Sequence, residues 1–500
     1  MHPFFIFAIF FLIFLWIYHR WNHRRLFTLA KSVPAYKSQL ILGFGPVVTP
    51  KCIIRRGAEN CKKLGQHFLF YIGPFPQFVT GDPEIVKDIL TSRLCVNKGP
   101  LNYAGMKNSM GKGLLTMQGK EWQQHRKLMD TGFKFSKQIK FLPIFHRKIP
   151  ALFAQMDKCG QMKNSEEILL YCREFTISNT TESLLGRDLD KSTINIKDYS
   201  HLISRIMEYI SDISYKIIYQ NPYVLKLAHS TIFKEQRKTM DFMGSEVVET
   251  FKYYSGELGN DPHYVDGVDT VAENLLDALN RNDITQDLAI SSMIHLFGAG
   301  FETTSSTLYF VMLMLAMHPE YQEKAYAEIC EMFPDNDDGE FEMTYEHLAQ
   351  LSYLDMFIKE TMRLFPTVPH FGRLVVGGDL KLSNGVIIPE GLELTVNTYN
   401  LHRNKDVWGP RADIFDPDNF LPSKVETRHP YAFIPFSKGI RFCIGMRYAE
   451  MNLKFAMSKI IKRYKFSTTA KMEDLVLYNH ISMQLAKCPP LNVERRNIAK

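Results

Sequence analysis

The sequence predicts a mainly α-helical protein with a small β portion, folded as one large domain. Helical patterning dominates the middle of the chain, and strand signals are confined to residues 68–82 and 379–399. In the second stretch, Asn384 and Gly385 predict a two-residue hairpin turn. No repeat, low-complexity block or Pro/Gly-rich linker divides the 500 residues, and 45% of them are hydrophobic, so the chain can bury one large core.

The N-terminus begins with an apolar run, PFFIFAIFFLIFLWIY, over residues 3–18, which contains no charged residue. As a helix rising about 1.5 Å per residue, this run would be about 24 Å long, near the thickness of an endoplasmic reticulum bilayer. Arg20, Arg24 and Arg25 follow it, and positive charge on that side predicts that the downstream chain stays cytosolic. A cleaved signal peptide is the alternative, but its basic residues would precede the apolar run. The expected divisions are an N-terminal membrane anchor with its basic flank over residues 1–21, a linker over 22–50 and the main domain over 51–500.

Charge and cysteine content exclude some classes of protein. The net charge of +7 is modest for this length, and no stripe of interleaved basic and aromatic residues indicates a nucleic-acid partner. The eight cysteines form no CxxC pair and are too sparse for a disulfide scaffold, which is typical of a reducing compartment. An acidic partner or a membrane surface stays compatible with the charge.

Cys443 has a sequence context that the other cysteines lack. In the stretch FIPFSKGIRFCIG it is accompanied by Phe436, Gly439, Arg441 and Gly445. Glycines on both sides allow the backbone to fold tightly around the sulfur and to aim amides at it, which stabilises a metal-bound thiolate. The alternative, a small buried hydrophobe, is our interpretation of the other seven cysteines. The pattern therefore predicts a metal ligand at Cys443, with Arg441 near an anionic group of the metal's other ligand.

A second motif, FGAGFETT, lies inside an apolar helical run over residues 283–317. Ala299 and Gly300 are small, so they leave room beside the helix for a reacting molecule. Glu302 and Thr303 place an acid beside an alcohol, a combination able to relay protons. The alternative is a glycine-containing core helix with stray polar residues, and the neighbouring motifs make it the weaker interpretation.

Two further pairs are spaced by one helical turn. Glu360 and Arg363 share one helix face and can form an ion pair, although most such pairs are exposed and contribute little stability. Trp122 and Arg126 place an indole N–H and a guanidinium side by side, an arrangement able to hold an anion. Taken alone, each of these charges is most often a solvated surface charge.

Together, and in their order along the chain from Trp122 to Cys443, the motifs resemble those of the cytochrome P450 monooxygenases over essentially the whole chain from about residue 30. The resemblance implies the cytochrome P450 fold, a triangular, helix-rich single catalytic domain, and a haem b with the Cys443 thiolate as its axial iron ligand. A thiolate pushes electron density to the iron and favours O–O cleavage. Thr303 and Glu302 are the implied catalytic pair. The residues implied to hold the haem and its propionates are Trp122, Arg126, Ala299, Gly300, Arg373, Phe436, Gly439, Arg441, Cys443 and Gly445.

The stretches HPYAFIPFS and VPHFGR are similar to the animal microsomal branch that includes fatty-acid ω-hydroxylases, with two departures. Many of those enzymes esterify a haem methyl with a central-helix glutamate, where this chain has Ala299, so the resemblance implies a non-covalent haem. Glu360 and Arg363 are the implied support under the haem loop. The family often adds an arginine in a Pro-Glu-Arg-Phe segment, where this chain has Asn419, which we expect to accept a hydrogen bond from Arg363 without carrying charge.

The implied function is insertion of one oxygen atom from O2 into a lipophilic substrate, with NADPH-derived electrons supplied by cytochrome P450 reductase and cytochrome b5 as an optional further donor. Fatty acids, terpenoids, steroids and xenobiotics all stay open as substrates. The implied location is the endoplasmic reticulum membrane with a cytosolic catalytic domain. The main alternative is a reductase-independent haem-thiolate isomerase or dehydratase of lipid peroxides, a kind that tends to lose the acid–alcohol pair retained here, and a haem sensor is the third possibility.

The expected substrate contacts come from four segments, residues 100–116, 295–303, 367–371 and 481–483. Their side chains are mostly apolar, so they favour a lipophilic molecule. The apolar contacts expected are Met106, Met110, Phe301, Val368, Phe371, Ile481 and Met483, with His295 and His370 orienting a polar end. The basic residues expected to face the reductase are Lys120, Lys127, Lys438, Arg447 and Lys454.

Overall fold

The computed structural model describes residues 3–22, 24–36, 49–72, 75–158, 166–191, 195–216, 219, 221–259, 261–265, 270–334 and 339–496. This part of the chain is mainly helical with a few short strands, which confirms the predicted fold class. The helices are α1 (Pro3–Asn22), α2 (Arg24–Ser32), α3 (Ile53–Leu64), α4 (Pro83–Thr91), α5 (Pro100–Met110), α6 (Gly119–Asp130), α7 (Phe135–Gln138), α8 (Leu142–Lys158), α9 (Glu166–Leu185), α10 (Ile196–Tyr215), α11 (Pro222–Ser230), α12 (Lys234–Tyr254), α13 (Val271–Asn280), α14 (Gln286–Met317), α15 (Pro319–Met332), α16 (Tyr345–Gln350), α17 (Ser352–Leu364), α18 (Thr398–Leu401), α19 (Lys405–Trp408), α20 (Pro422–Thr427) and α21 (Met446–Arg463). The strands are β1 (His67–Ile72), β2 (Phe75–Thr80), β3 (Phe371–Leu374), β4 (Leu380–Lys381), β5 (Ile387–Ile388), β6 (Glu393–Val396), β7 (Tyr464–Ser467), β8 (Leu477–Asn479), β9 (Met483–Leu485) and β10 (Asn492–Arg495).

The N-terminal region forms two helices. Helix α1 covers the predicted apolar segment, yet within the described residues no helix reaches both the length and the apolarity that crossing a membrane requires. The membrane anchor therefore stays a prediction. Helix α2 lies in the predicted linker, and its Leu29 and the following Val33 are buried against the main domain. Residues 37–48 of that linker lie outside the described residues.

The largest sheet has four strands in the order β1-β2-β6-β3, and both predicted strand regions contribute to it. Strands β4 and β5 pair as the predicted hairpin, but the two-residue turn is wrong. The N–H of Leu382 donates to the carbonyl oxygen of Val386 at 2.9 Å, which leaves three residues in the loop. Gly385 has φ of +85° there, so the loop uses its glycine in the left-handed conformation of a three-residue hairpin.

Helix α14 runs through the centre of the domain and is buried along most of its length. Its first turn is capped by Thr285, whose hydroxyl accepts the N–H of Leu288 at 3.3 Å. Neighbouring helices α9 and α21 pack against it in the main core. A Cβ atom at Gly300 would lie 3.0 Å from the side chain of Thr180 in α9, so the glycine allows the two helices to approach closely. The packing fixes the FGAGFETT segment in the middle of the domain.

Candidate active site

A cavity of about 420 Å³ lies between α14 and the loop before α21, within the size range of small-molecule sites. The loop contributes Phe436, Arg441, Cys443 and Gly445 to its lining, and α14 contributes residues 295–304 in part. Gly439 lies outside the lining and shapes the loop instead. The structure thus brings together at one cavity two motifs that are more than a hundred residues apart in the sequence.

The loop before α21 contains two residues whose backbone adopts the left-handed conformation. Ser437 has φ of +59° and Gly439 has φ of +72°. A Cβ atom at Gly439 would lie 2.1 Å from the carbonyl oxygen of Leu90, so only glycine fits there. The resulting turn lets the N–H of Cys443 donate to the carbonyl oxygen of Phe436 at 2.9 Å. This bond directs the Cys443 side chain to the cavity that it lines.

The electrostatic environment of Cys443 combines opposing effects. Burial raises the pKa of its thiol, while the backbone N–H of Gly445 and the charge of Arg126 act to lower it. The residue also lies just before the N-terminus of α21, where the helix dipole favours a negative charge. A Cβ atom at Gly445 would meet no atom within 4 Å, so the backbone beside the sulfur is open.

Three cationic side chains line the cavity without a carboxylate partner in the described part of the chain. Arg441 donates to the carbonyl oxygens of Val96 at 2.9 Å and Met117 at 2.7 Å, and burial followed by the charge of Arg373 lowers its pKa to about 9. Arg373 is 3% exposed and donates to the carbonyl oxygen of Gly372 at 2.9 Å, and burial lowers its pKa too. Lys98 was not predicted from the sequence; burial and the two arginines lower its pKa strongly.

Trp122 and Arg126 of α6 both line the cavity. The Arg441 guanidinium stacks 3.8 Å from the centre of the Trp122 ring. Arg126 donates to the carbonyl oxygen of Phe442 at 2.8 Å, and its Nε atom pairs with Asp130 at 2.7 Å. Part of the Arg126 guanidinium is therefore engaged within the protein, and Trp122 serves as a platform for Arg441.

The acid and the alcohol of α14 differ in their surroundings. The hydroxyl of Thr303 donates to the carbonyl oxygen of Ala299, four residues earlier, at 2.8 Å, and both residues line the cavity. Glu302 is 2% exposed, and its Oε1 atom accepts hydrogen bonds from Ser482 at 3.1 Å and from Gln484. The carboxylate is therefore held from the side of the β8–β9 hairpin.

Glu360 and Arg363 form a fully buried ion pair in α17, with both Arg363 Nε–Glu360 Oε2 and Arg363 Nη2–Glu360 Oε1 at 2.7 Å. The remaining Arg363 donors bind the carbonyl oxygens of His402, Ala412 and Ile414. Our expectation for the hydrogen bond made by Asn419 was wrong in both its partner and its donor. Asn419 does not accept from Arg363; its Nδ2 atom donates to Glu360 Oε1 at 3.2 Å, because Arg363 has no free N–H to offer.

All four predicted substrate segments reach the cavity, but two of the predicted contacts do not. Phe301 and Met483 are fully buried in neighbouring hydrophobic clusters, because they point away from the cavity on α14 and β9. Helix α10 supplies lining residues that the sequence interpretation missed, Met207 and Ile210 among them; its strong amphipathic pattern was the available signal. The predicted contacts that do line the cavity are Met106, Met110, His295, Val368, His370, Phe371 and Ile481.

The residues of the cavity fit a haem b. Clustered cations without acidic partners repel one another, and a dianionic ligand would relieve that repulsion. Lys98, Arg373 and Arg441 form such a cluster for two propionates. A cavity-facing cysteine beside an open glycine backbone is suited to a metal-bound thiolate. The fold and the site thus define a haem-thiolate oxidoreductase.

Comparison with known proteins agrees. The family model described as cytochrome P450 matches residues 45–491. Probable cytochrome P450 313a2 of Drosophila melanogaster is 35% identical over 498 residues, covering 97% of each chain. Probable cytochrome P450 313a4 of the same organism is 33% identical, covering 96% of this chain and 97% of the relative, and cytochrome P450 4c3 is 29% identical, covering 82% and 78%. The chain belongs to the cytochrome P450 family, whose members are monooxygenases that use haem b with a cysteine thiolate ligand.

Proposed function

We propose that this chain inserts one oxygen atom from O2 into a lipophilic substrate at the cavity that Cys443 lines. The observation that supports this most directly is the meeting of Cys443, a cation cluster and the Ala299–Thr303 segment at one largely apolar cavity. In this proposal the bound haem supplies oxygen activation. Cys443 holds its iron, and Thr303 and Glu302 hold and move protons toward the oxygen site.

The remaining site residues have supporting roles in the proposal. Arg373 and Arg441 bind the haem propionates with Lys98, and Trp122 orients the Arg441 guanidinium. Glu360, Arg363 and Asn419 stabilise the region beneath the haem loop. Ala299 carries only a methyl group toward the cavity, so the haem is released intact when the protein is denatured.

Substrates are lipophilic in this proposal because the lining from α5, α10 and the loop after α17 is mostly apolar. His295 and His370 give this lining two points for hydrogen bonding. Burial lowers the pKa of each histidine to about 4, so both imidazoles are neutral at pH 7. A neutral imidazole suits an uncharged hydroxyl or carbonyl group of a fatty-acid derivative, terpenoid, steroid or xenobiotic.

The proposed electron donor is an NADPH-dependent diflavin reductase, with cytochrome b5 as an optional second donor. Exposed basic side chains with no acidic partner in the described residues support this at Lys120, Lys127 and Arg447. The other two predicted contacts are less available. Lys438 donates to the carbonyl oxygen of Pro430, and Lys454 pairs with Asp355 at 2.8 Å.

The proposed location is the endoplasmic reticulum membrane, with the catalytic domain cytosolic. Exposed apolar side chains of α1, such as Phe10, Leu12 and Phe14, support contact with lipid. The arginines that follow α1 support the cytosolic orientation.

The spectrum of the reduced, CO-bound protein tests the assignment of Cys443. We expect Cys443→Ala to lose the thiolate-type Soret band and most bound haem, because that side chain is the proposed ligand. The matched control is Cys95→Ala, which removes a buried cysteine outside the cavity lining and should keep the band. A thiolate-type band that survives in Cys443→Ala would show that another residue is the ligand. Product formation from a lipid hydroperoxide without NADPH, reductase and O2 would instead support the isomerase alternative.

A further inference from the structure

The β8–β9 hairpin holds the carboxylate of Glu302 from outside α14. Ser482 Oγ donates to Glu302 Oε1 at 3.1 Å, and Gln484 Nε2 donates to the same oxygen. Arg173 of α9 adds a third donor, with its Nη2 atom 3.5 Å from Oε1. Burial of an ionised carboxylate is costly unless it is hydrogen-bonded, and these donors offset that cost.

The two oxygens of this carboxylate differ. Oε1 accepts every hydrogen bond that the described residues give to Glu302, whereas Oε2 is buried and has no partner among them. Donors that stabilise charge on one oxygen make that oxygen a poor site for a proton. The other oxygen keeps its capacity to accept one.

We propose that Ser482 and Gln484 are positioning residues that fix Glu302 through Oε1, so that Oε2 is the oxygen that exchanges protons on the Thr303 side. The inference rests on the proposed function, in which Glu302 and Thr303 deliver protons. Oε2 takes a proton relayed from the solvent and releases it toward the oxygen site, so Glu302 returns to its carboxylate form and no electrons move.

The hairpin is itself anchored well enough to fix these donors. Gln484 lies on β9 and Ser482 lies in the turn just before it, and both side chains reach the same oxygen of Glu302. Asn479 Nδ2 donates to the hydroxyl of Tyr215 at 2.7 Å, and the N–H of Met483 donates to the carbonyl oxygen of Thr367 at 2.7 Å. Contacts on several elements preorganise the hairpin and therefore the carboxylate.

Reductase-driven oxidation of NADPH without added substrate tests the inference, because it needs no knowledge of the natural substrate. Under these conditions O2 is reduced either to hydrogen peroxide, which consumes one NADPH, or to water, which consumes two and needs further protons. We expect Ser482→Ala and Gln484→Leu to raise the peroxide share by at least about twofold and to enlarge the solvent deuterium isotope effect. Ser482→Thr, which keeps the hydroxyl, should restore wild-type behaviour.

A matched control separates positioning from general stability. Ser211→Ala removes a hydroxyl that contacts His480 of the same hairpin at 3.0 Å and does not contact Glu302, so it should leave the peroxide share unchanged. A second readout is the C–O stretching band of the reduced, CO-bound protein. We expect this band to broaden in Ser482→Ala and Gln484→Leu and to keep its wild-type width in Ser211→Ala.

Each outcome has a distinct meaning. If Glu302→Ala raises the peroxide share but the two hairpin variants behave as wild type in both readouts, the positioning role is wrong while the proposed function stands. If Glu302→Ala and Thr303→Ala both leave the peroxide share and the isotope effect unchanged, the proton-delivery role itself is wrong. If Ser211→Ala and Ser482→Ala have equal effects, the hairpin only stabilises the fold and does not position Glu302. That result would overturn the inference.

Discussion

Replacing Gly439 with alanine should break the loop that carries Cys443. Gly439 has φ of +72°, and an L-residue in the left-handed conformation costs about 1–2 kcal/mol. Its Cβ would also lie 2.1 Å from the carbonyl oxygen of Leu90, and backbone must move to relieve the overlap. Overpacking of this kind costs about 1–3 kcal/mol, so we expect a total loss of about 2–5 kcal/mol in unfolding free energy.

The same displacement should affect the metal ligand, because the Cys443 N–H bonds to Phe436 across the turn. Two measurements check this for Gly439→Ala: the thermal unfolding midpoint, and the thiolate-type Soret band of the reduced, CO-bound protein. At about 2.1 cal/mol/K of unfolding entropy per residue, a loss of 3 kcal/mol lowers the midpoint of a chain of this length by about 3 °C. We also expect much of the thiolate-type band to be lost.

Gly445→Ala is the matched control from the same loop. Gly445 has φ of −87°, and a Cβ atom there would meet nothing within 4 Å, so the unfolding free energy should change by less than about 1 kcal/mol. The steric argument fails if Gly439→Ala keeps both the midpoint of Gly445→Ala and the thiolate-type band of the wild-type protein.

Three other variants test separate parts of the structure. Thr303→Ala should oxidise NADPH within about twofold of the wild-type rate in the presence of reductase but release more hydrogen peroxide; an unchanged peroxide yield would exclude its hydroxyl from proton delivery. Arg428→Leu removes a guanidinium that lies 3.9 Å from the Trp408 ring centre, and it should lower the unfolding free energy by about 1–2 kcal/mol in urea titrations, whereas a loss below about 0.3 kcal/mol would contradict the contact. Burial, then nearby arginines, lowers the pKa of His402 to about 3, so the folded protein does not take the proton that an unfolded histidine takes below about pH 6.5. The contribution of neutral His402 to the unfolding free energy is therefore fully present above that pH and falls by about 2 kcal/mol at pH 5. The unfolding free energy of His402→Gln should fall less than that of the wild type between pH 7.5 and pH 5. Equal losses would refute the assignment.

The sequence predicted the fold class and most of the residues that meet at the cavity, because those features depend on local pattern. The small residues of α14, the glycines around Cys443 and the one-turn pairs each have a spacing that indicates their structural setting. Lys98 carries no such signal, because a lysine between Asn97 and Gly99 has the same local pattern whether it is exposed or buried beside two arginines. Phe301 is the opposite case, a residue that was predicted to line the cavity and does not. Its neighbours on α14 line the cavity, whereas packing directs Phe301 itself into a hydrophobic cluster.

The predicted role of Asn419 failed because it treated Arg363 as a donor still in need of an acceptor. The structure shows that Arg363 already donates to both oxygens of Glu360 and to three backbone carbonyl oxygens. The group that can still accept hydrogen bonds is the Glu360 carboxylate, whose Oε1 atom also accepts the backbone N–H of Asp416 at 2.8 Å. An asparagine amide can give one more neutral donor there without adding a third charge to a pair that is already balanced.

This distribution of hydrogen bonds has a consequence for the buried pair as a whole. An isolated buried charge is strongly destabilising, but a pair whose donors and acceptors are all satisfied need not be. Arg428 donates to the Asn419 carbonyl oxygen at 2.7 Å and lies on the Trp408 ring, whose centre is 4.8 Å from the Arg363 guanidinium. The positive charge of Arg428 therefore lies beyond Asn419 from the buried pair, where partial exposure to solvent makes it less costly to hold.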